Sequence, residues 1–332
     1  MSTNSYPPVF RHLSPTEPQP SASASATPSP PLSNGAAAIE IPRLDLQKLE
    51  RERLAVACRE WGVFRLINHG IPSALSAQLL NDARSLFSRP FDSKEGMFKE
   101  PITYFFGTPA LSQTVQNLNW VEGFDVPLKE LQKQQSGDRG AEKDPILQRY
   151  RYSLEEYGKH MGRVARELFE TMAEILALDP DRRQTYLSES EGVLRVYRYP
   201  RCSESDKVLG MDVHTDSSVV SILNQDGVGG LQVFKDGRCV DAAPAADELV
   251  VNLGDMMQAM SNDEYKSAEH RVAVNPKEER ISLCYFVFPE EKGVVVSSKY
   301  QPFTYKEFSE KVQEDIKTTG FKVGLERFRK PE

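Results

Sequence analysis

The sequence predicts a mixed fold: a helical N-terminal half wrapped on a β-rich C-terminal core of the sandwich, barrel or jelly-roll type. Three observations carry this. Between residues 145 and 178, Leu154, Tyr157, Met161, Val164, Ala165, Leu168, Met172 and Ile175 recur at helical spacing. Beyond residue 190 the texture changes to short apolar or alternating runs at 193–199, 218–223, 229–234, 238–241, 249–253, 268–274 and 280–288. Between them stand turn signals, Asp226-Gly227, Gly229-Gly230, Asp236-Gly237 and Asn275-Pro276, the punctuation of many short strands.

Taken in order, residues 1–37 form a head of different composition. Sixteen of the first 35 residues are Ser or Pro, including the run from Pro18 to Ala26. Such a segment lacks the apolar surface to offset its ordering entropy and reads as disordered. It is Ser-rich with one acidic residue, as transit peptides are, but its single arginine, Arg11, and its prolines oppose an amphipathic helix. Order is expected from about Ile39, where Leu46, Leu49, Leu54, Ala57 and Cys58 suit a helix with one apolar face. Residues 62–68 (GVFRLIN) read as a short buried strand, and Pro72 opens a helix through Leu75, Leu79, Leu80 and Leu86. Residues 132–144 are polar and read as a surface loop. The long helix follows from about Pro145 to Leu178, closed by Asp179-Pro180, and a last helix spans about Tyr305 to Thr318. This divides the chain into the head, a mainly helical region 38–185, a β-rich core with its C-terminal helix at 186–325, and a tail 326–332. The stretch 319–328 either packs on the body or lids a pocket.

The 332 residues carry 41 basic and 48 acidic side chains, a formal net charge of −7. At 39% hydrophobic residues there is material for a full core, and a chain of this size buries roughly three quarters of its unfolded surface. No stretch approaches the roughly 20 apolar residues of a membrane helix. No basic stripe marks nucleic acid as a partner. Cys58, Cys202, Cys239 and Cys284 stand far apart without the close pairing of metal knuckles or redox motifs, and read as reduced thiols packed as small hydrophobes. The implied compartment is reducing, the cytoplasm by default with the nucleus as a further location.

Five histidines occur: His12, His69, His160, His214 and His270. His214-Thr215-Asp216 has H-x-D spacing, and on a strand residues i and i+2 share a face. His270 follows 54 residues later on another expected strand. Two histidines and one carboxylate are the donor set of a non-haem Fe(II) centre with open positions. By chance one H-x-D is expected roughly 0.3 times in this composition, so the spacing alone decides little. Ten residues past His270 comes Arg280-Ile281-Ser282, where a guanidinium fork and a hydroxyl on one face would clamp a carboxylate. The run Ile281–Phe288 is too apolar for a solvated strand, which argues against Arg280 as a surface charge.

These residues also carry a resemblance. The segments 61–70 (WGVFRLINHG), 214–216 (HTD), 229–233 (GGLQV), 251–255 (VNLGD), 261–271 (SNDEYKSAEHR) and 280–282 (RIS) resemble, in order and spacing, the plant Fe(II)/2-oxoglutarate-dependent dioxygenases, over about residues 38–325. Within that family the chain is most similar to the gibberellin oxidase branch and its gibberellin-oxidase-like relatives. The resemblance implies a double-stranded β-helix, the cupin-like jelly roll. It implies iron on His214, Asp216 and His270, and the distal carboxylate of the co-substrate 2-oxoglutarate on Arg280 and Ser282, with Tyr199 reaching it too. Phe286 falls where the family sets an aromatic against the substrate. Arg195 falls where several members place a basic residue facing the pocket; it pairs either with a substrate carboxylate or with a nearby Asp or Glu. One departure stands out: Tyr197 occupies the position of the family's asparagine, which contributes to co-substrate binding in relatives. His69 reads as structural, His12 lies in the head, and His160 is an ordinary helix residue.

The implied reaction is oxidative decarboxylation of 2-oxoglutarate to succinate and CO2 coupled to hydroxylation of a small plant metabolite, with ascorbate supporting activity. The favoured substrate is an acidic diterpenoid of the gibberellin type. The alternatives are a flavonoid, another phenylpropanoid or an auxin-type acid, and, from a different class, a binding protein that no longer turns over, which Tyr197 alone supports.

Overall fold

Strand alternation resolves into two facing sheets. The computed structural model describes residues 3–13, 39–98, 100–107, 118–135 and 143–331. The N-terminal region supplies β1 (Arg43–Asp45), α1 (Arg51–Glu60), β2 (Val63–Ile67), α2 (Ser73–Phe87), α3 (Phe91–Lys94), β3 (Thr103–Phe106), β4 (Glu122–Pro127), α4 (Leu128–Gln135), α5 (Pro145–Ile175) and α6 (Pro180–Tyr186). The C-terminal region supplies β5 (Ser188–Tyr199), β6 (Leu209–His214), β7 (Val220–Gln225), β8 (Leu231–Lys235), β9 (Arg238–Asp241), β10 (Leu249–Leu253), α7 (Asp255–Met260), β11 (His270–Ala273), β12 (Arg280–Phe288), β13 (Val294–Val295), β14 (Phe303–Thr304) and α8 (Tyr305–Thr319).

The large sheet runs β1-β2-β10-β7-β12-β5-β4-β3, and the small sheet β6-β11-β8-β9. Together they form a double-stranded β-helix, the jelly roll. Both faces of the large sheet are covered, so the period-2 alternation sorts side chains between two interiors. On β12, Ile281, Leu283, Tyr285 and Val287 join the main core with α2 and α5, while Cys284 and Phe286 belong to the cluster between the sheets. That inner cluster also holds Val63, Tyr197, Tyr199, Leu231, Val233, Val250 and Val272.

Local chemistry explains the helix ends. Asp144 caps α5 by accepting from the Ile146 and Leu147 amides at 2.9 and 3.3 Å, with Pro145 in the first turn. Thr304 and Glu307 form a reciprocal capping box on α8, and Gly320 at φ 84° ends it in a left-handed turn.

Several expectations are corrected. The apolar residues from Leu46 to Cys58 do not make one helix: β1 and a short 3-10 turn at Leu46–Lys48 precede α1, because Leu44 and Leu46 are buried as the chain enters the sheet. The region read as mainly helical contributes β1, β3 and β4 to the large sheet as well as the expected strand at 62–68, which is β2. The polar segment after residue 132 stays helical through Gln135; residues 136–142 lie outside the described residues. Asp179 does not close the long helix but caps α6, accepting from the Asp181 and Arg182 amides. Cys58, Cys202 and Cys284 are buried as expected, but Cys239 on the edge strand β9 is exposed.

The head departs most. Residues 14–37 of it lie outside the described residues, but Thr3–Leu13, which includes His12, is held against the body rather than disordered. Phe10 is fully buried and Tyr6 nearly so, and the Phe10 ring lies 4.4 Å from that of Trp120. The Ser5 carbonyl accepts from Lys94 Nζ at 2.5 Å and its hydroxyl from Arg198 at 3.2 Å, while the Arg198 guanidinium stacks 4.6 Å over Tyr6. Composition gave no sign of this, because the partners are buried charges far along the chain. The C-terminus is bound in as well. Phe328 packs on Phe303 and Phe308, and the Phe328 carbonyl accepts from Gln301 at 2.7 Å.

Candidate metal centre and carboxylate clamp

β6 and β11 pair antiparallel with His214 directly opposite His270, and the two imidazole centroids lie 4.3 Å apart. β6 ends at His214, so Asp216 does not share a strand face with it as the H-x-D spacing suggested. A bend after the strand brings the carboxylate round instead, with Asp216 Oδ1 3.8 Å from His214 Nε2 and 3.7 Å from His270 Nε2. One ligand atom from each residue lies within 4.8 Å of the others, a separation one metal ion bridges.

Second contacts prepare these donors. His214 Nδ1 bonds the Asp212 carbonyl at 2.7 Å and His270 Nδ1 the Ala268 carbonyl at 3.0 Å. With Nδ1 carrying the proton, each Nε2 keeps its lone pair for a metal. Desolvation, and after it the neighbouring His270, lowers the His214 pKa to about 4, so the ring is neutral and ready to ligate at neutral pH. Burial alone would raise Asp216, but His270 and then His214 outweigh it and hold the carboxyl below the usual range. The Ser221 hydroxyl donates to Asp216 and shares a 2.7 Å bond with Ser218. The Asp216 carbonyl accepts from the Asp255 amide at 2.8 Å. Two imidazoles and one carboxylate suit Fe(II), and the cluster fits that ion.

The clamp lies on the large sheet, facing the small-sheet strands that carry the two histidines. β12 pairs with β5 so that Arg280 faces Tyr199, Ser282 faces Tyr197 and Cys284 faces Arg195. Arg280 is 2% exposed; it donates to Ser282 Oγ at 3.2 Å and to Gln225 Oε1 at 3.0 Å, and stacks 5.0 Å over Tyr199. Its Nε is buried without a partner, and among the described residues no carboxylate lies within 4.0 Å of it. A buried guanidinium left unpaired is costly, so this wall is built for an anion it does not itself supply. A 2-oxo acid's distal carboxylate fits. Burial, opposed by Arg280, pushes Tyr199 up to about 12, so the phenol keeps its proton to donate. Burial and the Asp216 charge push the Cys284 thiol well up, and the thiol is not among the three grouped donors.

Farther along the wall, Arg195 Nε donates to Asp125 at 2.6 Å and its guanidinium lies 5.4 Å over Phe286. Of the two pairings open to Arg195, the structure shows the protein carboxylate. Tyr197 is buried, with ring centroids 6.0 Å from both Phe105 and Tyr199. His69 is structural: its Nδ1 accepts from the Ile71 amide at 3.2 Å.

Sequence reasoning missed Gln225, Ser218, Ser221, Asp255 and Gly230. Gly230 has φ +114°, and a Cβ there would meet the Ala273 carbonyl at 2.6 Å and Arg280 Cδ at 3.7 Å. The positive φ and the close approach to the β11 carbonyl admit only glycine there, while the Arg280 contact is an ordinary one. Gly229-Gly230 was read as a turn and, like Asp255, as part of a segment that carries the resemblance, without a role of its own.

A jelly roll with a two-histidine, one-carboxylate cluster at its mouth and a buried arginine on the facing wall defines a class, the iron-dependent 2-oxo-acid oxygenases. The model of the 2OG-Fe(II) oxygenase superfamily matches residues 190–289, and that of the non-haem dioxygenase N-terminal region, described from morphine synthesis, matches residues 39–146. The chain belongs to the Fe(II)/2-oxoglutarate-dependent dioxygenases and is an oxidoreductase that uses both. It is similar to gibberellin 2-beta-dioxygenase 8 of Arabidopsis thaliana (36% identical over 305 residues, 87% of each chain). It is similar too to gibberellin 2-beta-dioxygenase 6 of Oryza sativa subsp. japonica (37% over 321 residues, 90% of this chain and 87% of the other). Among solved structures, JOX2 in complex with 2OG, Fe and JA superposes with a TM-score of 0.74 at 28% identity, covering 88% of this chain and 89% of that one. No helix among the described residues is long and apolar enough to cross a membrane.

Proposed function

We propose that His214, Asp216 and His270 ligate Fe(II), that Arg280, Ser282 and Tyr199 hold 2-oxoglutarate, and that the enzyme hydroxylates an acidic gibberellin-type diterpenoid. The observation that carries the co-substrate assignment is Arg280, a buried cation with an orphan Nε and no carboxylate partner among the described residues, on the wall facing the three candidate ligands.

When bound, iron and 2-oxoglutarate supply the oxidant, with O2 consumed and succinate and CO2 released. The protein's residues do the rest. The Asp212 and Ala268 carbonyls fix the two imidazole tautomers. Arg280 and Ser282 fix one end of the 2-oxo acid and so aim its other end at the ligand cluster. Tyr197, Phe105 and Phe286 line the inner wall with aromatic surface that excludes water from the reacting C–H bond. Arg280→Gln is expected to raise the 2-oxoglutarate requirement about 10- to 150-fold, the equivalent of about 1.5–3 kcal/mol for a charge-assisted bond. Saturation curves for 2-oxoglutarate check this, and an unchanged requirement would show the clamp misplaced.

The diterpenoid acid is favoured by Arg195, whose bond to Asp125 uses Nε and whose side chain keeps 45% of its surface open on the inner face. The same pair favours a second reading. Asp125 neutralises Arg195, and a charge-balanced aromatic wall also suits a flavonoid or another phenylpropanoid. Succinate release by protein reconstituted with Fe(II), ascorbate and 2-oxoglutarate, with product mass spectrometry against gibberellins, flavonoids and indole acids, separates these. A gibberellin product one oxygen heavier supports the first reading, and a flavonoid product replaces it. Bound iron with no turnover on any member points to the binding-only role. Tyr197→Asn removes a buried ring at a cost of about 3 kcal/mol. It is expected to lower the urea midpoint and to change the ranking of acceptors in the same panel, while metal binding is kept.

A further inference from the structure

Lys322 lies just beyond α8 in a stretch whose role the sequence left open, yet its ammonium ends beside the metal cluster. Nζ donates to the Thr215 carbonyl at 2.8 Å and to the Thr215 hydroxyl at 3.2 Å, and pairs with Asp255 Oδ2 at 2.6 Å. Thr215 is the middle residue of His214-Thr215-Asp216, and the Asp255 amide holds the Asp216 carbonyl. One cation therefore ties the segment carrying two candidate ligands to the residue that holds the third contact of that segment. The side chains of Lys322 and Asp255 are 14% and 5% exposed, so the pair is shielded from water and salt.

The lysine is delivered by a braced segment. Asp315 on α8 is 1% exposed; it accepts from the Val323 amide at 3.2 Å and from Arg327 at 2.6 and 2.9 Å. Gly324 at φ +70° turns the chain back, and a Cβ there would stand 3.3 Å from Lys322 Cε and 3.4 Å from Asp255 Oδ2. At the other end Gly254 is pressed on the metal-site loop, where a Cβ would meet the Ser218 carbonyl at 2.1 Å. The bend between His214 and Asp216 has no strand partner of its own after β6 ends, so something must set its shape.

We propose that Lys322 is a positioning residue for the metal centre: through Thr215 and Asp255 it fixes the bend that brings Asp216 into register with His214 and His270. This rests on the ligand assignment proposed above. Groups that orient metal ligands from outside the first sphere cost about 10- to 100-fold in affinity when removed, and Lys322 belongs to that group.

Co(II) titration followed by visible absorption tests it, with urea unfolding in parallel. Lys322→Met strands a buried Asp255 carboxylate, so it loses stability whatever the lysine's role. The double variant Lys322→Met/Asp255→Asn removes that unpaired charge but not the lost tether to Thr215. The expected result is a double variant with its urea midpoint returned toward wild type and Co(II) affinity still at least about tenfold weaker. A double variant that binds Co(II) as wild type does overturns the proposal, because the lysine then served only to neutralise Asp255. Wild-type protein that binds no Co(II) would instead overturn the ligand assignment beneath it.

Discussion

Asp216→Ala is expected to abolish 2-oxoglutarate decarboxylation and to weaken Fe(II) or Co(II) binding by well over the roughly 10- to 100-fold that outer contacts cost. The carboxylate is the cluster's only anion, and both imidazoles lie within 3.8 Å of it. Without it, two imidazoles 4.3 Å apart face a dication with no anion in the cluster to balance its charge. His214→Ala is expected to do the same, since its cross-strand partner cannot fill both positions. His160→Gln, at a half-buried position on α5 outside the cluster, is expected to leave Co(II) binding and succinate release unchanged. Metal titration and succinate release check all three, and retained turnover in either alanine variant would sink the ligand assignment.

The second large effect lies behind the clamp rather than in it. Glu122, fully buried, accepts from Lys94, from Tyr104 at 2.5 Å and from Arg198 at 3.0 Å, and Arg198 also pairs with Glu279 at 2.8 Å. Arg198 sits on β5 between Tyr197 and Tyr199, and Glu279 immediately precedes Arg280, so the network lies just outside the co-substrate wall. Glu122→Gln leaves two buried cations with one carboxylate, and about 3–5 kcal/mol of stability is expected to be lost. Deleting residues 1–13 uncovers the same network and the pocket of Phe10, at about 1.5–3 kcal/mol for each aromatic exposed. Urea unfolding measures both; a deletion with the wild-type midpoint would show that the segment contributes nothing.

Lys94 adds a pH signature. Burial pushes its pKa down from 10.5 to about 8 despite the pull of Glu122. Between those values the unfolded chain holds a proton that the folded chain has released. Stability linked to Lys94 therefore rises as pH climbs from about 8 toward 10.5, and Lys94→Met is expected to flatten that slope.

Much of the candidate site was legible in the chain itself, because residue type and spacing encode donor chemistry and strand period. His214, Asp216, His270 and Arg280 could be named from their chemistry, and the strand runs from residue 193 onward reappear as β5 and β7 to β12. The alternation in Arg280–Phe288 already separated the clamp face from the core face, since a two-residue period needs no tertiary information. Long-range pairing supplied the rest. That His270 lies opposite His214 follows from the register of β6 with β11, set by strands that meet across more than fifty residues. The bend that aims Asp216 depends on Lys322 and Asp255, neither of them near it in sequence. The Ser/Pro-rich head has no period to read, and Thr3–Leu13 is held by burial of Tyr6 and Phe10 and by Lys94 and Arg198, buried by the fold, bonding the Ser5 oxygens. Sequence determined which chemistry this protein carries. Only the tertiary structure decided which groups stand close enough to perform it, because those distances are fixed by burial of charges and strand registry contributed from the far ends of the chain.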